Sequence, residues 1–477
     1  MKQESIAQKT ARTSFWGGIE KVSTLGVQFF VSLVLARLLS PSDYGIIAML
    51  WVFIALSEQF ISCGFANALI RKETCGSEDY STAFYFNIAV SLVCYGIFFL
   101  IAPLVARFYK MDILCPVLRI FSLTLPLSAL RLVQTAILSR KLQAEKSAII
   151  QLSGAVISGA IGIYMAYKGF GVWSLVAQQL SNALVCAALL WFSASWYPKW
   201  EFSGTSMRYL WGFGSKMLLT GIISSIYANI YSIVIGRCYD SSSLGIFNRG
   251  QKLARLFPEV TESVLVKNSL PIMSQVQGDR ERMVHVYREF VKLACFITFP
   301  AVCLISLLAE PFVRVVLTEK WLPSVPYIQL FAMTALFFPA NSVNLNLLQA
   351  CGRSDYTLKA EVIKKSIGLA TVFLLLRYGT WYLAIGACCM DIVALGVNLF
   401  FAKKLSGLSY FTQVKDIMPA FLSSLIMSAL VFAACHYIPN PIVTMVVGVL
   451  IGAAVYFVVT RYIFKLDLYD KLRTLSR

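Results

Sequence analysis

Arg37-Leu-Leu-Ser-Pro-Ser-Asp-Tyr-Gly-Ile46 stands between the first two long apolar runs of a 477-residue chain, and Arg237-Cys-Tyr-Asp-Ser-Ser-Ser-Leu-Gly-Ile246 stands between two later ones. Both keep an Arg, seven residues and Gly-Ile, with Ser42 answered by Ser242. Three further correspondences hold nearly the same offset. Pro103-Leu-Val105 matches Pro311-Phe-Val313, the segment from Phe121 to Thr124 matches that from Phe331 to Thr334, and Gly171-Val-Trp173 matches Gly379-Thr-Trp381. Self-similarity that persists at a spacing of roughly two hundred residues predicts a duplicated half, hence two related bundles in tandem.

Composition sets the class. The chain is 58% hydrophobic and 14% charged, whereas soluble domains carry about one-quarter charged residues. This predicts an all-α polytopic membrane protein. A spanning helix needs about 20 mostly apolar residues, and candidates fall near 15–36, 46–66, 83–105, 114–138, 148–167, 172–192, 211–235, 244–275, 293–316, 326–350, 362–377, 381–402, 417–437 and 442–463. That is about 14 helices: a six-helix lobe over 1–205, a second over 206–405, and two extra helices with a basic tail over 406–477. The eighth candidate is the most polar. Connections are short, so no soluble catalytic domain fits between the runs, and with only two His the chain does not read as an enzyme.

A net charge of +18 could signal nucleic acid, but the Lys and Arg are scattered in short clusters between apolar runs. That distribution fits the positive-inside rule and puts both termini in the cytoplasm. Six spans per half is an even number, so the halves enter the membrane in the same sense. They are then related by an axis along the membrane normal, with the substrate path between them. The cysteines show no CxxC or His-containing metal spacing, and those in apolar runs read as small core residues. Trp16, Trp173, Trp191, Trp196, Trp200, Trp321 and Trp381 lie near predicted helix ends and read as interfacial anchors.

Four stretches carry a resemblance. Ala36-Arg-Leu-Leu-Ser-Pro-Ser-Asp-Tyr-Gly45, Ala68-Leu-Ile-Arg-Lys-Glu73, Ala102-Pro-Leu-Val-Ala-Arg-Phe-Tyr109, and Ile235-Gly-Arg237 with Leu244-Gly245 resemble the polysaccharide flippase (Wzx-type) family. That family lies within the MOP exporter superfamily, beside multidrug (MATE) exporters and lipid II flippases. The resemblance implies a V-shaped, two-lobe bundle that moves undecaprenyl-pyrophosphate-linked oligosaccharide across the bacterial inner membrane by alternating access. In one place the chain departs: relatives often carry an acidic residue before the glycine ending the second helix, where this chain has Ser62-Cys63-Gly64. No role for that carboxylate carries over.

Ionisable side chains inside the spans are the informative residues, because each costs about 2.5–3.5 kcal/mol at the bilayer centre and so faces a cavity or a partner. In the eighth helix Asn248, Gln251, Lys252, Arg255, Glu259 and Glu262 recur at helical steps, with Arg249 beside them. Arg249, Lys252 and Arg255 form a candidate pyrophosphate site, since Arg offers a planar fork to phosphate oxygens. The alternative is internal neutralisation, with Arg255 and Glu259 pairing four residues apart. In the fourth helix Arg119 and Arg131 flank Pro126. Arg119 sits near the helix start, where it can snorkel; Arg131 lies deeper, and Gln134 extends its face.

Glu20, Glu58 and Asp391 are candidate coupling carboxylates, each with a structural reading beside it: an interfacial position for Glu20, a helix–helix hydrogen bond for the others. No cofactor is expected; a H+ or Na+ gradient is the expected energy source. The expected partners are a lipid-linked oligosaccharide, membrane lipids and a glycan polymerase or biosynthesis complex, with no nucleic acid. A flippase for an O-antigen, capsule or exopolysaccharide unit is the leading reading. A MATE-like drug exporter and a membrane glycosyltransferase or polymerase are its rivals. The last lacks a DxD-type motif in a loop, and a cationic-drug exporter favours a carboxylate-lined cavity over a basic one.

Overall fold

The computed structural model describes residues 23–72, 75–141, 143–193 and 196–464, and every regular element among them is helical. They fall into two compact units, Met1–Gly245 and Ile246–Arg477. The first unit holds α1 (Ser23–Leu38), α2 (Pro41–Ser62), α3 (Phe65–Arg71), α4 (Ser77–Tyr109), α5 (Leu114–Phe121), α6 (Thr124–Arg140), α7 (Ala144–Tyr167), α8 (Val172–Phe192), α9 (Gly204–Ala228) and α10 (Ile230–Cys238). It also holds the start of α11 (Ser241–Ala254). The second unit continues with α12 (Leu256–Val264), α13 (Ser269–Gln275), α14 (Arg280–Leu307), α15 (Ala309–Phe312), α16 (Val325–Ala335), α17 (Phe338–Ala350), α18 (Ser354–Leu375), α19 (Thr380–Ser406), α20 (Tyr410–His436) and α21 (Pro441–Val458).

The repeated stretch is a helix end, a cap and a helix start. Ser40 accepts from the Asp43 backbone N–H at 3.3 Å while its own N–H donates to Asp43 Oδ2 at 2.9 Å, and Pro41 begins α2. This closes a capping box and satisfies two otherwise orphaned donors. In the second copy Asp240 accepts from the Ser243 N–H at 3.3 Å.

The two copies lie against each other. Ser42 Oγ and Ser241 Oγ are 2.6 Å apart. A Cβ on Gly45 would stand 1.8 Å from the Ser241 carbonyl oxygen, and one on Gly245 would stand 2.0 Å from that of Pro41. Only glycine permits that reciprocal backbone approach.

The other correspondences are matched in geometry. Gly171 and Gly379 cap α8 and α19 with φ of +55° and +115°, backbone that glycine adopts cheaply. The Thr124 hydroxyl stands 2.8 Å from the Phe121 carbonyl, and the Thr334 hydroxyl 3.2 Å from that of Phe331.

Among the described residues ten helical stretches are long and apolar enough to cross a membrane, or eleven if Met217–Ala228 and Ile230–Cys238, bent by 43°, make one span. The expected count of about 14 is not reached among the described residues, at three named places. α1 is described only from Ser23, α18 carries Lys359, Glu361, Lys364 and Lys365, and the eighth candidate is broken. The division between units also falls later than the repeat boundary near 205, because α9 and α10 pack on α2 and its neighbours. A Cβ on Gly214 would lie 2.2 Å from the Cys63 carbonyl, where α2 ends in two successive left-handed residues, Cys63 and Gly64.

At two of the internal prolines a neighbouring helix serves the carbonyl left without its donor. Proline has no N–H for the carbonyl four residues back. For Pro103 in α4 that carbonyl is Phe99, which accepts from Arg119 Nε at 3.2 Å. For Pro300 in α14 it is Phe296, which accepts from the Tyr456 hydroxyl of α21 at 2.8 Å. α20 is tied to α14 as well: Arg288 grips Asp416 through Nε and Nη2 at 2.6 and 2.7 Å.

Candidate functional site

The eighth candidate helix is not continuous. Pro258 cannot donate to Ala254 and its ring crowds that carbonyl, so the helix stops at Ala254 and restarts at Leu256 with Arg255 between. A tight turn over Val266–Asn268 separates α12 from α13. The single polar stripe read from the sequence is therefore divided, and its basic residues take different environments.

Arg255 Nη2 lies 3.4 Å from Asp391 Oδ2, with its guanidinium 5.8 Å from the Phe338 ring. Its partner is thus Asp391 of α19 and not Glu259, which is exposed. Asp391 also accepts from the Thr334 hydroxyl at 3.2 Å. The pair is open to water, at 31% and 38% side-chain exposure, and at 3.4 Å it is looser than a charge-assisted hydrogen bond of 2.7–2.9 Å. Guanidinium donors therefore remain for an anion.

Lys252, one turn before, is exposed. Arg249 is not part of the same surface: only 5% exposed, its guanidinium lies 5.6 Å over the Trp321 ring. It is drawn inward because α11 meets α16 closely at the next residue; a Cβ on Gly250 would lie 2.5 Å from Tyr327 Cβ. Trp321 is consequently 0% exposed, a buried platform for an arginine and not an interfacial anchor.

Below this pair runs a polar spine that sequence reasoning passed over. Thr334 with Asp391 and Asn341 with Asn398 share an offset of 57 residues, so the α16–α17 arm and α19 run in register. Ser342 donates to Glu262 at 3.4 Å, Asn346 to the Val266 carbonyl at 3.0 Å, and Tyr287 to Asn344 at 2.5 Å. The signal was Asn341-Ser-Val-Asn344-Leu-Asn346, four polar residues inside one apolar run. Such hydrogen bonds hold helices together where hydrocarbon offers no alternative partner.

In the first unit Arg131 of α6 and Glu58 of α2 are both half-buried, without a direct ion pair among the described residues. Gln134 does not extend that face; it is 3% exposed and donates to the Trp196 carbonyl at 2.9 Å. Arg119 is committed elsewhere, packed 4.3 Å from the Phe99 ring while bonding the proline-freed Phe99 carbonyl. Its placement is that of a helix-repair residue. Glu20 lies outside the described residues.

Arg119→Ala is therefore expected to cost about 1 kcal/mol of stability, the net contribution of one hydrogen bond. Adding Pro103→Ala should recover most of it by returning an N–H to Phe99. Unfolding midpoints of the two single variants and the double variant check this; an additive double variant would refute the repair.

The chain is similar to known proteins along most of its length. A family model described as "Polysaccharide biosynthesis protein" matches residues 34–326. The succinoglycan biosynthesis transport protein ExoT of Rhizobium meliloti (strain 1021) is 24% identical over 466 residues, covering 95% of this chain and 92% of its own length. The lipopolysaccharide biosynthesis protein WzxC of Escherichia coli (strain K12) is 22% identical over 426 residues, covering 89% and 85%. Among solved structures, the lipid II flippase MurJ in an inward closed conformation superposes with a TM-score of 0.77 at 16% identity, covering 95% of this chain and 99% of that one. At that identity the likeness shows the fold alone.

Proposed function

The chain belongs to the polysaccharide biosynthesis protein family, and from that premise we propose that it is a flippase for oligosaccharide repeat units carried on undecaprenyl pyrophosphate. It is a transporter, not an enzyme: a multi-pass protein of the bacterial inner membrane, with both termini cytoplasmic, that works by alternating access. The observation that carries this reading is Arg255. It sits in a break of a helix that is otherwise too polar to face lipid, loosely held by Asp391 and one turn from the exposed Lys252. A pyrophosphate brings more than one negative charge and accepts the planar fork of arginine.

Arg131 of α6 offers a second cation in the first unit. Glu58 and Asp391 are the proposed coupling groups for a H+ or Na+ gradient, and a glycan polymerase or biosynthesis complex is the proposed partner. A drug exporter of the same fold is the second reading, and the carboxylates Asp391 and Glu58 are what favour it.

The experiment is a deletion strain. Lipid-linked repeat units are expected to accumulate on the cytoplasmic leaflet while surface glycan falls. Unchanged glycan with no trapped intermediate would defeat the reading. In the complemented strain, Glu58→Gln and Asp391→Asn are expected to alter the H+ or Na+ dependence of export. Identical dependence in both would remove them as coupling sites.

A further inference from the structure

A cavity of about 250 Å³ lies within the second unit, walled by α14, α17, α19 and α20. Its lining is almost wholly hydrocarbon, including Val291, Leu395, Leu399, Val414, Met418 and Phe421. At one end stand Tyr287, Asn344 and Gln413. The Tyr287 hydroxyl stands 2.5 Å from Asn344 Oδ1 and 3.0 Å from Gln413 Oε1. Gln413 is 7% exposed, and its Nε2 has no hydrogen-bond partner. An amide so placed calls for an occupant that is apolar along its length and polar where it meets Gln413.

The helix faces extend the slot to a charge. On α19 the lining residues Leu395 and Leu399 are followed one turn later by Lys403; on α20 Val414 is preceded one turn earlier by Tyr410. These two stripes converge, because Lys403 Nζ stands 4.5 Å from the Tyr410 ring centre. Lys403 is exposed and has no ion-pair partner among the described residues. Asp416, a carboxylate on α20, is already held by Arg288 and Lys292. The slot is too small for a helix, whose diameter is about 10–12 Å.

We infer that this slot is a binding site for an anionic phospholipid, with an acyl chain between α19 and α20, an ester oxygen at Gln413 and the phosphodiester at Lys403. One ammonium answers one phosphodiester charge, whereas a pyrophosphate headgroup would leave charge uncovered. The site is separate from the Arg255–Asp391 pair, so it stands whether or not that pair handles the transported lipid. It gives the last two helices a task that the duplicated halves do not perform, since α20 supplies one wall.

The test uses the full-length protein purified into detergent after reconstitution in vesicles of phosphatidylglycerol and phosphatidylcholine, with retained lipid quantified by mass spectrometry. The native chain is expected to retain phosphatidylglycerol selectively. Lys403→Gln should lower that retention about fivefold, in line with roughly 1 kcal/mol for a basic residue at an anionic lipid surface, while Lys403→Arg keeps it. Leu395→Trp, which fills the slot without touching the charge, should lower it by a similar factor, and unfolding midpoints report whether each variant is folded. Equal retention of both lipids, or retention unaffected by both Lys403→Gln and Leu395→Trp, would overturn the site. Replacement of phosphatidylglycerol by added polyprenyl phosphate would assign the slot to the isoprenoid instead and overturn the phospholipid proposal.

Discussion

Transport by an S42C/S241C chain is expected to fall to background on oxidation and to return on reduction. The two hydroxyl oxygens lie 2.6 Å apart, and a disulfide requires sulfurs about 2.05 Å apart, so a small adjustment closes the bond. If the contact between the two copies of the repeated stretch parts during transport, a covalent link there holds one state. Gly245→Val probes the same contact from the other direction. Its side chain would meet the Pro41 carbonyl oxygen, already only 2.0 Å from where a Cβ would sit. Overpacking of this kind costs about 1–3 kcal/mol, which here weighs against the state in which the copies touch. Full cross-linking, seen as a mobility shift, with undiminished glycan export would sink the idea that this contact opens.

Arg255→Ala is expected to reduce export at least tenfold at unchanged protein level, with Arg255→Lys intermediate. A charge-assisted hydrogen bond contributes about 1.5–3 kcal/mol, and about 1.4 kcal/mol is a factor of ten. Lysine keeps the charge but loses the fork that grips two oxygens at once. Asp391→Asn separates two roles for the arginine. If Asp391 only orients Arg255, the amide retains an acceptor and most export survives; if it also carries the coupling ion, export loses its dependence on the gradient. Glycan output across a range of external pH and sodium distinguishes these. Normal complementation by Arg255→Ala would remove the residue from the substrate path.

The repeated stretches were legible because backbone geometry forced glycine at corresponding places. Gly45 and Gly245 are imposed by contact, Gly171 and Gly379 by positive φ, and such constraints leave marks that a reader can align. Arg255 stood out for the same kind of reason: charge in an apolar run has few explanations.

Its partner was not, because which of Glu259 and Asp391 it meets depends on the break that Pro258 imposes, and a periodic reading assumes an unbroken helix. The Asn-rich α17 escaped for a different reason. Periodicity tracks hydrophobic residues, and amides that tie helices together do not disturb it. Trp321 and Arg119 mislead together, since residues near helix ends commonly face the membrane surface, and only the fold reveals that one is a buried platform and the other serves a carbonyl.

The hydroxyl of Tyr456 on the Phe296 carbonyl bears on how this protein can be shortened. Deleting the last two helices would strip that acceptor of its donor in the middle of a hydrocarbon layer and leave Arg288 and Lys292 without Asp416. A core cut from this chain before α20 is thus not a minimal machine. It would need at least a new residue at Pro300 and a neutral one at Arg288 before its second half could stand by itself.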